Sequence, residues 1–454
     1  MSAGGKLYET ESGQLFHAGK IAICLVGLPA RGKTHLSVSL CRYLTWLGLS
    51  CRAFHLGDYR RKWLAGAEMP DDYFFFQDSS YFSSVLSSSN GIVDVSKTTQ
   101  SLRDKVANDC MSDILGYLSK SGGNGQIVIY DAVNASVSVR RKLHQQFSEA
   151  EIQTIFVESI CTDEKIIQAN VRNVKVSSPD YEGWDAEKAV QDYLKRINAK
   201  IPHYEEMNRD RESDLSWVKM INIGERMVVN KGSTGEARSN GHSGNFGSRI
   251  VFYLMNLHVK PRTLYFARAG KSEDRSYKSD APLSLPEGLE YAKKMAEAVM
   301  DRRAILRQEA IESGLEPEDR SLTVWVSPRQ RTVASAQYLK DAGCIVRRRP
   351  QLSAQNPGVY DTLTLAQIKD RYPGEEKKHA ENPFLHRFPR AESYHDIAIR
   401  LEPVILEIER ERNDLIIIAH ESVLRVLYGY FLGVESSKIP DLKMPRATVF
   451  EVEL

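Results

Sequence analysis

Gly27, Gly32, Lys33 and Thr34 stand at the spacing G-x-x-x-x-G-K-[ST], a pattern suited to phosphate chemistry. Glycines let a chain wrap tightly, so that backbone N–H groups converge on phosphate oxygens. A lysine placed like Lys33 reaches the β- and γ-phosphates, and a hydroxyl placed like that of Thr34 holds Mg2+. The stretch Gly27-Leu28-Pro29-Ala30-Arg31-Gly32-Lys33-Thr34 therefore points to a nucleoside triphosphate. A second candidate is Asp131, which ends the β-branched run Gln126–Asp131 (QIVIYD). A carboxylate at a strand end downstream of a phosphate loop can bind Mg2+ or supply a base. A third is Tyr59-Arg60-Arg61-Lys62, just past another short strand. Ligands of open α/β sheets sit at such strand ends, although three consecutive bases on their own suit a solvated helix start better.

The flanking patterns say which elements must position these groups. Ile21–Val26 is an apolar run with the look of a buried strand, and His35–Trp46 has helical spacing at Leu36, Leu40, Tyr43 and Leu44. Cys51–Leu56 reads as a second strand that turns at Gly57-Asp58. Ser101–Leu118 is helical by spacing and carries Arg103 near its start. Thr154–Ile160 is a further strand, ending at Cys161, where a lone cysteine ordinarily packs. Asn170–Lys175 and Asp192–Ile201 are helical and basic. Strand and helix alternate to about Ile221, the signature of an α/β fold with a parallel, doubly wound sheet. Residues 1–20 read as a loose lead-in, and the serine-rich part around Ser83–Ser89, after the aromatic clump Tyr73-Phe74-Phe75-Phe76, reads as a mobile loop.

The 454 residues carry a net charge of only +2, which gives no warrant for nucleic-acid or anionic-membrane binding. Six cysteines occur with no C-x-x-C pair, so neither a zinc site nor a disulfide framework is expected, and a reducing cytoplasm fits. The apolar run after Lys20 is too short to span a bilayer. At residues 230–248 the composition turns to Gly, Ser and Asn, an insertion that cannot pack. Ile250–His258 is an apolar helix, and a second α/β pattern follows. Its strands are TLYFAR (263–268), LTVWVS (322–327) and DLIIIAH (414–420). Its helices are Leu289–Arg307, Ala334–Ala342 and Tyr394–Glu411.

On GLPARGKT, GDYRR (57–61), VESICTD (157–163), SSPDY (177–181), FYLMNLHVKPRTLYFAR (252–268) and RLEPVILEIER (400–410), the chain resembles 6-phosphofructo-2-kinase/fructose-2,6-bisphosphatase. The resemblance implies a P-loop kinase domain over 21–260 and a histidine-phosphatase domain, phosphoglycerate-mutase-like, over 261–454. It implies that the first makes fructose 2,6-bisphosphate from Mg·ATP and fructose 6-phosphate, that the second removes the 2-phosphate, and that the protein is a cytoplasmic homodimer. By position, Gly27–Thr34 with Asn170 and Lys175 would hold ATP. Asp131 would be the catalytic aspartate and Cys161 the active-site cysteine. Arg60, Arg103, Lys175 and Arg196 would contact the sugar phosphate.

Departures from the family pattern are concentrated in the acceptor site and the phosphatase half. Where the family reads roughly D-A-T-N-T-T-R-x-R-R, this chain has Asp131-Ala132-Val133-Asn134-Ala135-Ser136-Val137-Ser138-Val139-Arg140, and a family tyrosine after Arg196 becomes Lys200. Arg140, Arg141 or Lys200 are the candidates to compensate. In the second domain R-H-G-E becomes Arg268-Ala269-Gly270-Lys271, and the acid of L-N-E-x-x-x-G becomes Ala354. A family asparagine aligns near Arg275, and its loop Arg and Lys contacts fall near His379 and Pro383. Arg268, Arg331, Tyr394, His420 and Arg425 survive. A methyl group is no nucleophile, so the phosphohistidine route is expected to be closed. The sequence thus favours a 6-phosphofructo-2-kinase with an inactive phosphatase half. A pseudoenzyme that binds ATP or sugar phosphate as a regulatory partner, and a P-loop kinase for another sugar phosphate, remain the alternatives.

Overall fold

The computed structural model describes residues 20–64, 70, 73, 97–119, 126–177, 179–181, 183–223, 225–231, 244–258, 261–274, 276–312 and 320–453. The lead-in before Lys20, the Ser83–Ser89 loop, Phe74–Phe76, Arg275 and positions 232–243 lie outside the described residues. Two compact units divide the chain, the first running to Val259 and the second comprising Lys260–Leu454 with the short Trp46–Gly48 segment.

The first unit is built on β1 (Lys20–Val26), β2 (Ser50–His55), β3 (Gln126–Asp131), β4 (Ile152–Ile160), β5 (Trp217–Ile221) and β6 (Arg226–Asn230), in the order β2-β3-β1-β4-β5-β6. β1 to β5 are parallel and β6 is antiparallel to β5. Ile21–Val26 are at most 4% exposed, so the central strand is covered on both faces, as parallel sheets require. Its helices are α1 (Lys33–Trp46), α2 (Leu56–Leu64), α3 (Lys97–Ser119), α4 (Val137–Glu149), α5 (Glu164–Ser177), α6 (Ala186–Lys200), α7 (Arg209–Glu212) and α8 (Gly244–Asn256).

Two expectations are corrected here. No turn separates β2 from the basic run: α2 starts at Leu56, and Asp58 in its first turn pairs with Arg61 one turn on, which favours helix over turn. The insertion is narrower than 230–248. Asn230 closes β6, its buried amide donating to Leu215 O at 2.7 Å and Ser213 O at 3.0 Å, and residues 244–248 already belong to α8.

The second unit holds β7 (Thr263–Arg268), β8 (Leu322–Val326), β9 (Ile345–Arg348), β10 (Asp414–Ala419) and β11 (Val449–Glu453), ordered β11-β7-β10-β8-β9. All are parallel except β11, which runs antiparallel to β7. Its helices are α9 (Glu287–Glu312), α10 (Gln330–Ser335), α11 (Gln337–Asp341), α12 (Leu365–Arg371), α13 (Pro373–Glu381), α14 (Tyr394–Arg410) and α15 (Glu421–Phe431). The expected single helix Ala334–Ala342 is therefore two, broken at Ala336. Among the described residues, no helix is long and apolar enough to cross a membrane.

Candidate active site

The chemistry-bearing residues of the first unit collect at the carboxyl ends of β1 to β4. Gly27 follows β1 with φ +141°, and a Cβ there would lie 2.6 Å from Ser159 O. Only glycine fits both the angle and the space. Ala30 and Gly32 also have positive φ, 58° and 78°. The loop is tied down from β4 and α5: Ser159 Oγ donates to Arg31 O at 2.5 Å and Asn170 Nδ2 to Ala30 O at 3.1 Å. Asn134, itself at φ 47°, braces the end of β1 by donating to Leu25 O at 2.7 Å. Lys33 is buried, and its Nζ donates to Leu28 O at 2.8 Å. Burial lowers its pKa to about 8, against the pull of Asp131 and with a smaller push from Arg31.

Thr34 Oγ1 donates to Asp131 Oδ2 at 3.1 Å. A hydroxyl and a carboxylate side by side are the hard oxygen donors that Mg2+ takes, the remaining positions falling to phosphates and water. His55 Nδ1 reaches the same Oδ2 at 2.9 Å. His55 and Asp131 are register partners in parallel strands, so both side chains emerge on one face. That hydrogen bond is the main cause of the raised His55 pKa. The role of His55 is invisible in the sequence, since a histidine before L-G-D-Y carries no motif of its own.

Two of the sugar-phosphate candidates, Arg60 and Arg196, are brought together at Asp180. Asp180 accepts from Arg60, from Arg61 Nη1 at 3.4 Å, and lies 3.7 Å from Arg196 Nη1. Arg196 also pairs with Asp192 at 2.7 Å and sits over the Tyr181 ring at 5.0 Å. Arg103 donates from Nε to Tyr73 O at 3.0 Å. Lys200 ends α6, one turn beyond Arg196. Burial, then the charges of Lys33, Arg60, Arg103 and Arg196, bring its pKa down to about 7. Lys175 lies in α5, but its side chain is outside the described ones. Cys161 follows β4, its thiol bonded to Asp163 O at 3.7 Å and its pKa raised by burial, so it stays a neutral thiol beside Arg31.

Two of the three candidate replacements fail. Arg140 is fully buried, with Nε and Nη2 on Glu212 at 2.7 and 2.9 Å. Its Nη1 donates to the carbonyls of Asn134, Ala135 and Glu205. Arg141 turns to Asp214, at 3.0 and 3.1 Å. Val139 packs against the core beside them.

In the second unit Arg268 ends β7 and Ala269 follows, the Ala269 N–H donating to Ala419 O at 3.0 Å. Arg331 Nη2 donates to His420 Nδ1 at 3.2 Å, which leaves Nε2–H to donate to Ser327 Oγ at 2.9 Å. Burial and the charges of Arg331, Arg329, Arg400 and Arg268 lower the His420 pKa to about 3. Glu421 pairs with both Arg268 and Arg425, at 2.9 and 2.8 Å, and Arg425 also donates to Tyr394 Oη at 2.8 Å. Ala354 stands in the loop after Leu352 and offers no titratable group.

Fold and site define a P-loop kinase unit and a histidine-phosphatase-like unit in one chain. The profile of the 6-phosphofructo-2-kinase family matches residues 8–261, and that of the histidine phosphatase superfamily, branch 1, matches 264–454. A Saccharomyces cerevisiae relative, provisionally named 6-phosphofructo-2-kinase/fructose-2,6-bisphosphatase, is 38% identical over 458 residues, 99% of this chain and 83% of its own. Human 6-phosphofructo-2-kinase/fructose-2,6-bisphosphatase 4 is 34% identical over 433 residues, 95% of this chain and 81% of its own. A solved mycobacterial glucosyl-3-phosphoglycerate phosphatase is 24% identical, spanning 42% of this chain and 88% of its own at a TM-score of 0.34. The chain belongs to the 6-phosphofructo-2-kinase/fructose-2,6-bisphosphatase family.

Proposed function

We propose that the chain is a 6-phosphofructo-2-kinase, passing the γ-phosphoryl group of Mg·ATP to O2 of fructose 6-phosphate, and that its second unit does not hydrolyse the product. The observation supporting the first part is that the Thr34 hydroxyl of the phosphate loop meets the Asp131 carboxylate at 3.1 Å, while Asp180 gathers Arg60, Arg61 and Arg196 in the same unit. Guanidinium groups bind a dianionic phosphate bidentately, and Arg60, Arg103 and Arg196 would hold the sugar's 6-phosphate. Fixing both reactants replaces a bimolecular encounter by an oriented one.

Lys33 keeps its proton at neutral pH, being lowered only to about 8, and its desolvated charge offsets charge growing on the transferred group. Asp131, its Oδ2 held by Thr34 and His55, would accept or orient the acceptor hydroxyl proton. Thr34 and Asp131 would hold Mg2+, which when bound neutralises phosphate charge. Cys161, the active-site cysteine by position, is a half-buried neutral thiol after β4. In the second unit, the Ala269 methyl cannot take a phosphoryl group, Ala354 cannot protonate a leaving group, and Glu421 already occupies Arg268 and Arg425.

The test is to incubate the purified chain with Mg·ATP and fructose 6-phosphate and assay acid-labile fructose 2,6-bisphosphate. A chain that binds nucleotide but makes none of it fits the pseudoenzyme reading, which the pairing of Arg140 with Glu212 and the packing of Val139 in the core favour. Phosphoryl transfer to a different member of a sugar-phosphate panel would mark a kinase with another acceptor.

A further inference from the structure

Cys41 lies in the second half of α1, and Cys51 is the second residue of β2. The fold brings the two side by side. Cys41 Sγ donates to Cys51 O at 3.6 Å, and the thiols themselves are hydrogen-bonded to each other. Both are free and half-buried, so each keeps some surface that a small oxidant can reach, whereas Cys24 and Cys110 are buried. Their surroundings tell the two apart. The hydrogen bond from Cys51 lowers the Cys41 pKa to about 7 against the effect of burial, with smaller help from the Thr45 hydroxyl, the Ala53 N–H and the charge of His55. The thiolate is the nucleophilic form of cysteine, so a large part of Cys41 is reactive at neutral pH. The Cys51 thiol is pushed up, first by that same hydrogen bond and then by burial and the Cys41 charge. Burial raises the remaining four as well. Cys41 is thus the one activated cysteine of the six.

We propose that Cys41 and Cys51 form a redox-active dithiol, in which Cys41 attacks a hydroperoxide and Cys51 resolves the product as a disulfide between α1 and β2. In the first step the Cys41 sulfur attacks one peroxide oxygen and the O–O bond breaks. A sulfenic acid forms, and the departing hydroxide takes a proton. Sulfur is oxidised by two electrons and the peroxide is reduced. In the sulfenic acid Cys41 has lost its charge, which weakens the hold that keeps Cys51 protonated. The Cys51 sulfur then attacks the sulfenic sulfur, an S–S bond replaces the S–O bond, and water leaves with the Cys51 proton. Two thiols and one hydrogen peroxide become one disulfide and two waters. A dithiol reductant reverses the change by exchange. Cys51, Ala53 and His55 alternate onto one face of β2, so the bond forms on the strand face that carries His55 to Asp131. None of this chemistry depends on which acceptor the first unit phosphorylates.

The experiment takes the full chain, reduced and freed of reductant, and exposes it to a small molar excess of hydrogen peroxide. Remaining thiols are then alkylated in denaturant and the peptides mapped by mass. The expected product is one peptide pair joined through Cys41 and Cys51, with Cys24, Cys110, Cys161 and Cys344 recovered alkylated and the pair released by dithiothreitol. Cys51→Ser should stop at the Cys41 sulfenic acid, trapped as its dimedone adduct. Cys41→Ser should slow the loss of the Cys51 thiol by about tenfold or more, because that thiol is mostly protonated on its own. Recovery of both residues alkylated from the oxidised parent overturns the proposal, as does a disulfide that joins either of them to another cysteine. Equal rates of Cys51 loss in Cys41→Ser and parent overturn the assignment of Cys41 as the attacking thiol. The parent's own peptide map decides the pairing even where a serine variant fails to fold.

Discussion

His55 Nδ1 donates to Asp131 Oδ2 at 2.9 Å, and the Thr34 hydroxyl meets the same oxygen at 3.1 Å. One carboxylate oxygen is thus held by the end of β2 and the start of α1, which fixes the carboxylate's orientation before any substrate arrives. Asp131→Asn removes the charge but keeps the shape, so ATP binding should persist while fructose 2,6-bisphosphate formation falls by about a hundredfold or more. His55→Leu removes one of the two donors. Turnover should fall by about tenfold, with nucleotide affinity measured without Mg2+ left unchanged. Unaltered turnover in Asp131→Asn would remove Asp131 from the chemistry.

Arg140 and Glu212 make a different argument, about a residue that motif comparison offers as a phosphate ligand. Both are 0% exposed and they face each other at 2.7 Å. Removing one member of a buried pair strands the other charge, at about 3–5 kcal/mol. Arg140→Met should lose about that much in urea unfolding, and Arg140→Met with Glu212→Leu should regain most of it. Turnover per folded molecule should stay near the parent value in the double variant. A selective rise in the KM for fructose 6-phosphate would instead give Arg140 a role in binding.

What is legible in the sequence follows from how local each signal is. β1 can be read because six consecutive apolar residues end at a glycine, and both features lie within one short stretch. β6 and β11 cannot, since edge strands are half-exposed and need no continuous apolar run: Val228 and Val229 are 42% and 43% exposed. The start of α2 reads as a turn because Gly57-Asp58 has turn composition, whereas the Asp58–Arg61 pair one turn apart supports a helix. In the site, Gly27–Thr34 is one contiguous stretch and is plain. The His55–Asp131 bond spans 76 residues and the capture of Arg140 by Glu212 spans 72, distances that only the sheet order and the loop after α6 close. Glu421 escapes notice for a similar reason, its meaning lying in Arg268 at the end of another strand.

His420 should make the second unit sensitive to acid. Its imidazole is neutral in the folded chain, with a pKa of about 3, against an unfolded value near ~6.5. Between those limits the unfolded chain binds the extra proton, so stability rises with pH there and is lost as pH falls from about 6.5 toward about 3. The slope contributed by one such group is at most about 1.4 kcal/mol per pH unit. His420→Asn removes the titration and should flatten unfolding free energy over that window relative to the parent, as followed by urea denaturation at several pH values. Parallel curves for parent and variant would show that His420 is protonated in the folded chain.

Ala269 marks where a phosphoryl group would have to be taken up, and the surroundings say that restoring histidine there is not enough. Catalytic groups that act as a unit do not add independently. In Ala269→His the leaving oxygen would still lack an acid, because Ala354 has none to offer, and a general acid contributes about 10²–10⁴-fold. The charge for binding the phosphate is also partly neutralised, since Glu421 holds Arg268 at 2.9 Å and Arg425 at 2.8 Å. Fructose 2,6-bisphosphate labelled at the 2-phosphate should therefore give no labelled protein and no phosphate release with the parent chain. Ala269→His should form label slowly, and Ala269→His with Ala354→Glu should release phosphate about 10²–10⁴-fold faster than the single variant. Turnover by the parent chain through a labelled intermediate would mean that a nucleophile other than residue 269 serves this site, and the second unit would have to be counted an enzyme.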